Sequence, residues 1–213
     1  MDKDLIPTAQ IDEETLAVTA PNFIDRVSQM ASAHRQEGVK TRRQTFEFGY
    51  AYRDLLSDID AQPTVIPAFL QMLYISAVES LKRAHPDLDD LSSEFNNCIV
   101  SVFEAGDCLQ PHIDVDVHKT KRGNGDLVGF YFDENIIGVL IEADAQGRLY
   151  IQKSEADDRL NRDYDPDRAL ALDEKDGLVY LFHGACRHAP YYHGVSPVEN
   201  RRVSVTFRTL KFR

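Results

Sequence analysis

The chain has 213 residues, 43% of them apolar, and a formal net charge of −11. This length and apolar content predict a single domain with one substantial core. Proteins that follow a long nucleic-acid duplex carry a basic footprint, so the acidic balance argues against that class of protein.

The N-terminus and the cysteines indicate the compartment. The charged start, Met1 to Asp4, does not resemble a secretory signal, and no apolar run approaches the ~20 residues of a membrane span. Cys98, Cys108 and Cys186 form no Cys-x-x-Cys pair, which is typical of reduced thiols. We therefore expect a soluble, cytoplasmic protein with no membrane partner.

Two helices are predicted in the first half of the chain. Residues 1–20 are an acidic lead without a regular pattern, which we expect to be flexible, and residues 21–213 form the domain. Apolar residues at helical spacing predict one helix from Asn22, a suitable N-cap, to Gly38. A second helix is predicted from Ile66 to about His85, because one face stays apolar and a proline follows.

An aromatic stripe lies between these helices. Phe46, Phe48, Tyr50 and Tyr52 recur at period two, which predicts a strand or a hairpin. Such a stripe is more often part of a core than a platform for a ligand.

The second half of the chain consists mostly of short apolar runs separated by turn residues. These runs predict strands at Cys98–Phe103, Leu127–Phe132, Ile136–Ile141, Leu149–Gln152, Leu178–Phe182 and Val203–Leu210. Helices followed by many short strands indicate an α+β protein whose strands form a sandwich or barrel. Between Glu142 and Asp176 the chain becomes highly charged, which we interpret as an excursion from the barrel without an assigned role.

A candidate metal site begins at His112. Asp114 lies two residues further along an extended segment, so the two side chains point to the same side and can bind one ion. A second histidine from a distant segment, either His183, His188 or His193, would complete two imidazoles and one carboxylate. We prefer His193, which lies just before the last strand. This set is typical of non-haem Fe(II) oxygenases, which keep one face of the metal open for other ligands.

The last predicted strand carries a candidate anion site. Arg202 and Arg208 share one face with Ser204 and Thr206, opposite an apolar face. Two arginines on one face favour an anion, such as the free carboxylate of a metal-chelating 2-oxo acid.

Two clusters of basic residues offer contacts to phosphate groups. One cluster is Lys119, Lys121 and Arg122, and the other is a C-terminal run of Arg201, Arg202, Arg208, Lys211 and Arg213. Solvated surface charge is the better interpretation for Lys211 and Arg213.

Four segments taken together resemble the AlkB-like Fe(II)/2-oxoglutarate dioxygenases. The segments are Val100-Ser-Val-Phe-Glu-Ala-Gly106, His112-x-Asp114-x-Asp116, Tyr192-His-Gly-Val-x-Pro197 and Arg202-Val-Ser-Val-Thr-Phe-Arg208. The resemblance covers residues 46 to 210. It implies a double-stranded β-helix, or jelly roll, with the N-terminal helices packed on the sheet.

The same resemblance implies roles for individual residues. His112, Asp114 and His193 would be the catalytic ligands of Fe(II), with dioxygen as oxidant, and 2-oxoglutarate would be held by Arg202 and Arg208. It further places Asp116 against the substrate base and puts Tyr50 and Tyr52 in the substrate lid.

This chain departs from the family in the strand before the metal motif, where Ser101 and Phe103 replace the usual Asn and Tyr. Loss of the phenol removes one hydrogen bond to the co-substrate, about 0.5–1.5 kcal/mol. The resemblance predicts oxidative demethylation of N-alkylated nucleobases in single-stranded or locally opened nucleic acid. The alternatives are hydroxylation of a protein or small molecule, favoured by the net charge and the altered pair, and a non-enzymatic binding module.

Overall fold

A computed structural model describes residues 5–38, 41–57, 61–88, 91–92, 94–114, 117–121, 127–154 and 163–212. Within these ranges the strands are β1 (Thr8–Gln10), β2 (His34–Glu37), β3 (Arg42–Gly49), β4 (Asn97–Glu104), β5 (Leu109–His112), β6 (Val117–Lys121), β7 (Leu127–Glu142), β8 (Leu149–Lys153), β9 (Ala169–Ala171), β10 (Leu178–Phe182), β11 (Tyr191–Val195) and β12 (Arg201–Phe212). The α-helices are α1 (Glu13–Thr19), α2 (Phe23–Ser28), α3 (Tyr52–Ser57) and α4 (Ala68–Ala84).

The strands form two antiparallel sheets. The larger sheet has the order β1-β10-β7-β12-β4-β3-β2, with β6 paired to β7, and the smaller has the order β5-β11-β8-β9. An apolar cluster that includes Phe103, Leu140, Ile151 and Phe182 contains residues from both sheets. This arrangement confirms the predicted α+β double-stranded β-helix.

The long helix α4 packs on the outer face of the larger sheet. Leu70, Leu73, Ala77 and Leu81 are fully buried on that face, together with sheet residues such as Val205. The prediction of a helix up to His85 is therefore confirmed, because a full apolar stripe at helical spacing has a sheet to pack against. None of the helices in the described ranges is both long and apolar enough to cross a membrane.

The N-terminal segment differs from the expectation. Residues 8–10 pair with β10 at the edge of the larger sheet, and α1 follows with Asp12 as its N-cap. Ile6 and Ile11 are buried, so residues 5–20 pack on the domain and are not a separate lead. The apolar positions here are too few to produce a recognisable period, which is why the sequence does not reveal them.

The helix predicted from Asn22 is also shorter than expected. α2 ends at Ser28, and His34, which fitted the helical spacing, lies in β2 and pairs with Thr45. Its position in the sheet is set by pairing with β3, a contact between strands that helical spacing does not reveal.

The aromatic stripe is divided by Gly49. Phe46 and Phe48 are buried on β3, but Gly49 ends the strand with a φ of 73°, and a Cβ there would collide with the Asn96 carbonyl. Tyr50 therefore lies outside the strand, and Tyr52 begins α3. The two tyrosines consequently do not continue the face that carries Phe46 and Phe48.

Two further differences concern the second half of the chain. The strands predicted at 127–132 and 136–141 are one continuous strand, β7. The residues between them lie opposite the point where the pairing of β7 with β12 shifts register. The segment from Glu142 to Asp176 is not an excursion in its described parts, because β8 and β9 belong to the smaller sheet. The charges there are partly structural: Asp144, for example, accepts backbone N–H bonds from Gly147 and Asn200.

Candidate metal centre

Strand pairing brings the two candidate histidine ligands together. His193 in β11 lies directly opposite His112 at the end of β5, and their ring centroids are 4.4 Å apart. The following residue, Gly194, permits this pairing, because a Cβ there would collide with the Leu109 carbonyl and the Tyr150 hydroxyl. The Tyr-His-Gly motif thus combines a candidate ligand with the residue that lets β5 approach it.

Asp114 completes the group. Its Oδ1 lies 3.6 Å from His112 Nε2, and its Oδ2 lies 3.7 Å from His193 Nε2. One potential ligand atom from each of the three residues lies within 4.8 Å of the others, and no other such metal-binding group occurs in the described part of the chain. The Nδ1 atom of His112 is 2.9 Å from the Gln110 carbonyl, so it carries the proton and leaves Nε2 free for a metal.

The local electrostatics keep His193 and Asp114 in the forms that bind a cation. Burial, followed by the neighbouring His112, lowers the pKa of His193 to about 3, so its imidazole is neutral. Burial alone would raise the pKa of Asp114, but Arg208 and His112 outweigh it and hold that pKa well below its usual value. A neutral imidazole and an ionised carboxylate are the protonation states that metal binding requires.

The two alternative histidines lie elsewhere. His188 is exposed at the end of a 3₁₀ turn formed by residues 184–187, and His183 precedes that turn. Neither belongs to the metal-binding group. The structure therefore brings His193, and not His183 or His188, to the predicted pair.

The predicted polar face of the last strand lines a cavity between the two sheets. This inner cavity is lined by residues that include Ser101, Phe103, Tyr180, Arg202, Ser204 and Arg208. The alternate residues Val203, Val205 and Phe207 face the helices. Arg208 Nη2 lies 3.3 Å from Asp114 Oδ2, and its buried Nε has no hydrogen-bond partner in the described structure. The inner cavity thus contains an unsatisfied buried donor, which suits an anionic ligand.

Arg202 has an unexpected partner. Its Nη2 and Nε atoms donate to the two carboxylate oxygens of Glu174 at 2.6 and 2.8 Å, and both side chains are almost completely buried. A third bond runs from Nη1 to Ser204 Oγ at 3.1 Å, and Phe103 lies beneath the guanidinium at 5.7 Å. Sequence reasoning missed Glu174, whose only local signal was its position in a charged segment.

A second cavity shares two of the candidate ligands, His112 and Asp114, with the inner cavity. This outer cavity has a volume of about 180 Å³, and its lining includes Gln36, Arg43, Glu47, Tyr52, Phe132 and Arg208, together with His112 and Asp114. Tyr52 stacks on Phe132 at 5.9 Å, which places an aromatic wall beside the metal group. Tyr50 does not line this cavity and packs against Phe212 instead.

The remaining candidates for nucleic-acid contact divide into two sets. Asp116 and Arg122 lie outside the described residues, as do the side chains of Lys119 and Lys121. In the C-terminal run, Arg201 pairs with Glu142 at 3.2 Å and Lys211 with Asp133 at 2.9 Å. Together with the partners of Arg202 and Arg208, these acids neutralise the described part of the run, which therefore offers no free basic surface.

The donor set can be tested against the metals that proteins bind. Non-haem Fe(II) centres bind two imidazole nitrogens and one carboxylate oxygen on one side of the metal and keep the other side open. The group His112, Asp114 and His193 fits this description, because its outer side faces a cavity.

Comparisons with known proteins address the fold. No protein-family model matches the sequence, and no curated protein matches it. Among solved structures, OsALKBH1 is similar with a TM-score of 0.59 and 16% identity, covering 96% of this chain and 98% of that one. A Pseudomonas putida prolyl-4-hydroxylase has a TM-score of 0.55 and 15% identity, covering 96% and 92%. An oxidoreductase of the 2OG-Fe(II) oxygenase family from Burkholderia pseudomallei has a TM-score of 0.51 and 13% identity, covering 94% and 93%.

The fold is that of the 2OG-Fe(II) oxygenases. The coverage shows that the similarity extends over nearly the whole of this chain. At these identities the similarity establishes the architecture alone. In this fold His112 and His193 lie on the paired strands β5 and β11, and His112 and Asp114 line both cavities.

Proposed function

We propose that this protein is an Fe(II)- and 2-oxoglutarate-dependent oxygenase that removes N-alkyl groups from nucleobases by oxidation. The observation that carries the oxygenase proposal is the group formed by His112, Asp114 and His193, whose candidate ligand atoms lie within 4.8 Å of one another beside an open cavity. When bound there, Fe(II) with 2-oxoglutarate and dioxygen oxidises a substrate C–H bond while the 2-oxo acid becomes succinate and carbon dioxide.

The residues around the metal have defined tasks in this proposal. His112, Asp114 and His193 hold the ion, and the Gln110 carbonyl orients the His112 ring. Arg208 keeps Asp114 ionised, and its free Nε donor serves the anionic co-substrate in the inner cavity. The buried face of β12 and the neighbouring Phe103 and Tyr180 exclude water from that cavity, which strengthens each electrostatic contact within it.

The outer cavity supports a nucleobase as substrate. Tyr52 and Phe132 provide a stacked aromatic wall, and a flat base stacks on such a surface. Glu47 offers a carboxylate in the same cavity, which can accept hydrogen bonds from the edge of a base. The resemblance to AlkB-like proteins points in the same direction, with Asp116 as a further acidic contact. Oxidation of an N-methyl carbon gives a hemiaminal, which releases formaldehyde and restores the base.

A second candidate function is hydroxylation of a protein or small molecule. The net charge of −11 favours it, because a long polyanion is repelled by the chain as a whole. The internal pairing of Arg201, Arg202, Arg208 and Lys211 with acids strengthens this argument, because it removes most of one predicted basic cluster.

A turnover assay separates the two functions. The Fe(II)-loaded protein is incubated with 2-oxoglutarate and either N-methylated single-stranded oligonucleotides or a panel of peptides and free metabolites. Formaldehyde and succinate are then measured. Formaldehyde formed in proportion to succinate with oligonucleotides supports demethylation. Succinate stimulated by a peptide or metabolite, with no formaldehyde from any oligonucleotide, replaces it with the second function.

A further inference from the structure

Arg43, Arg202 and Arg208 line the inner cavity beside the metal group, and they differ in their partners. Arg202 is paired with Glu174, and Arg208 is paired with Asp114. The third is Arg43 on β3. Its Nε donates to Gln36 Oε1 at 2.9 Å and its Nη1 to Ser101 Oγ at 3.3 Å, and both acceptors are uncharged.

Within the described ranges, the Arg43 guanidinium makes no salt bridge with a carboxylate. Burial, and then repulsion from Arg208, lowers the pKa of Arg43 to about 10. The guanidinium therefore stays charged at neutral pH, but its charged form is less stable in the protein than it would be in water. A buried charge without an opposite charge is costly, and an anion that binds beside it removes that cost. The outer Nη2 atom and one hydrogen of Nη1 have no partner among the described residues, so the guanidinium retains an edge that can bind a carboxylate.

The location of Arg43 suits a ligand of the metal. Arg43, His112, Asp114 and Arg208 line both the inner and the outer cavity, so the guanidinium lies at the junction where the metal group also lies. The β3–β4 register pairs Gln44 with Val102, which brings Arg43 beside Phe103. Phe103 is in turn opposite Arg202 on the next strand. Arg43 and Arg202 therefore flank the same ring, on the same row of the sheet.

Arg202 is the less suitable of these two arginines for a second carboxylate. Both oxygens of Glu174 occupy its Nε–Nη2 edge, so the pair has no net charge. A further carboxylate placed there would also be repelled by Glu174 at close range in a dry environment. Arg43 instead makes no salt bridge with an acid among the described residues, and Asp114 and Glu47 act on its charge only from a longer distance.

We propose that Arg43 binds the distal carboxylate of 2-oxoglutarate, in place of the arginine pair on β12 that the sequence pattern suggests. This inference rests on the proposed oxygenase function. In this arrangement the 2-oxo acid end of the co-substrate lies at the metal group, and its far end lies against β3. Ser101, which is smaller than the amide expected at its position, leaves the room that the Arg43 side chain occupies.

The test is a binding measurement with two ligands that differ by one carboxylate. Calorimetric titrations of Mn(II)-loaded protein with 2-oxoglutarate and with 2-oxopentanoate, which has the same chain length without the distal carboxylate, give the preference for 2-oxoglutarate. Arg43→Gln should weaken 2-oxoglutarate binding at least roughly tenfold and leave 2-oxopentanoate unchanged. Arg42→Gln is the matched control, because Arg42 is exposed on the same strand and loses the same charge.

The paired variant Arg202→Gln with Glu174→Gln completes the design, since it removes both charges of the buried pair together. The proposal predicts that this variant still prefers 2-oxoglutarate. If Arg43→Gln keeps the preference, the proposal is overturned, and loss of the preference in the paired variant would then assign the carboxylate to Arg202. If wild-type protein binds Mn(II) but neither 2-oxo acid, the proposed function fails together with this inference. Unchanged thermal unfolding of Arg43→Gln shows that the effect is local.

Discussion

His112 and His193 face each other across the β5–β11 pair, with ring centroids 4.4 Å apart. Their spacing is set by backbone pairing, and Asp114 lies two residues beyond His112, the last residue of β5. The His193 ring also lies against Phe182, 4.6 Å away. The sheet and the core therefore hold the two candidate histidine ligands in place.

The first prediction concerns the choice of the second histidine. His193→Ala removes one of three ligands, so we expect a loss of Fe(II) affinity greater than the roughly 10- to 100-fold typical of changes outside the ligand set. His188→Ala is the control, because His188 is exposed and outside the group. Anaerobic titration with Fe(II) measures both. Metal binding lost in His188→Ala and kept in His193→Ala would contradict the assignment.

The second prediction concerns the buried pair of Arg202 and Glu174. Glu174→Gln leaves a buried guanidinium without its charge partner, which should cost roughly 3–5 kcal/mol of folding free energy. Adding Arg202→Gln should recover part of that loss, because no buried charge remains. Urea unfolding of the wild type, the two single variants and the double variant gives the coupling. A Glu174→Gln variant as stable as the wild type would show that the pair does not support the fold.

The third prediction concerns pH and Asp144. Burial by itself would raise the pKa of this carboxyl group, but backbone N–H groups of Glu199, Gly147, Asn200 and Gln146 outweigh it and hold the pKa well below its usual value. The folded-state pKa is lowered, so the contribution to stability is complete above the unfolded value of about 3.9 and is lost as pH falls below it.

Asp144→Asn should therefore be less stable at neutral pH, by about 2–3 kcal/mol, since an amide oxygen accepts these bonds more weakly than a carboxylate. Its stability should also fall less steeply than that of the wild type below about pH 4. Asp173→Asn is the control, because Asp173 is fully exposed. Denaturant unfolding at several pH values measures the slopes, and equal slopes for Asp144→Asn and the wild type would exclude this role.

The sequence predicts most reliably where one local pattern determines the structure. The apolar stripe of α4 and the alternation along β12 are patterns of this kind, and both were located correctly. His112 and Asp114 were found because their spacing alone brings them to one side of a strand.

The elements that were missed depend on distant partners. β5 and β11 are short and polar, and they are strands because β11 pairs with both β5 and β8. Glu174 reaches Arg202, and Arg43 reaches the inner cavity, from segments far from β12 in the sequence. Nothing in the spacing near Arg202 therefore indicates either of them. Tyr50 and Tyr52 were predicted together, but only Tyr52 lines the outer cavity. The sequence did not separate them, because the effect of Gly49 on the chain direction is a matter of backbone geometry.

The fourth prediction concerns the aromatic wall of the outer cavity. If the substrate is a nucleobase, Tyr52→Ala should reduce turnover of a methylated oligonucleotide by about ten- to a hundredfold. The reason is that stacking of a base on one aromatic ring contributes about 1–3 kcal/mol of binding free energy. Tyr52→Phe keeps the ring and should retain most of the activity. The 2-oxoglutarate affinity should be the same in both variants, because Tyr52 does not line the inner cavity. Full oligonucleotide turnover by Tyr52→Ala would remove this residue from substrate binding.

The central claim is that His112, Asp114 and His193 form the metal centre of a 2-oxoglutarate-dependent oxygenase. Its most direct test is succinate formation from 2-oxoglutarate by the Fe(II)-loaded wild type and by Asp114→Asn, with calorimetric metal titration and thermal unfolding of both. We predict that the wild type binds one Fe(II) per chain and forms succinate. Asp114→Asn should keep its fold and lose both properties. Succinate formation by Asp114→Asn at the wild-type rate, or its absence from an iron-loaded wild type, would contradict the claim.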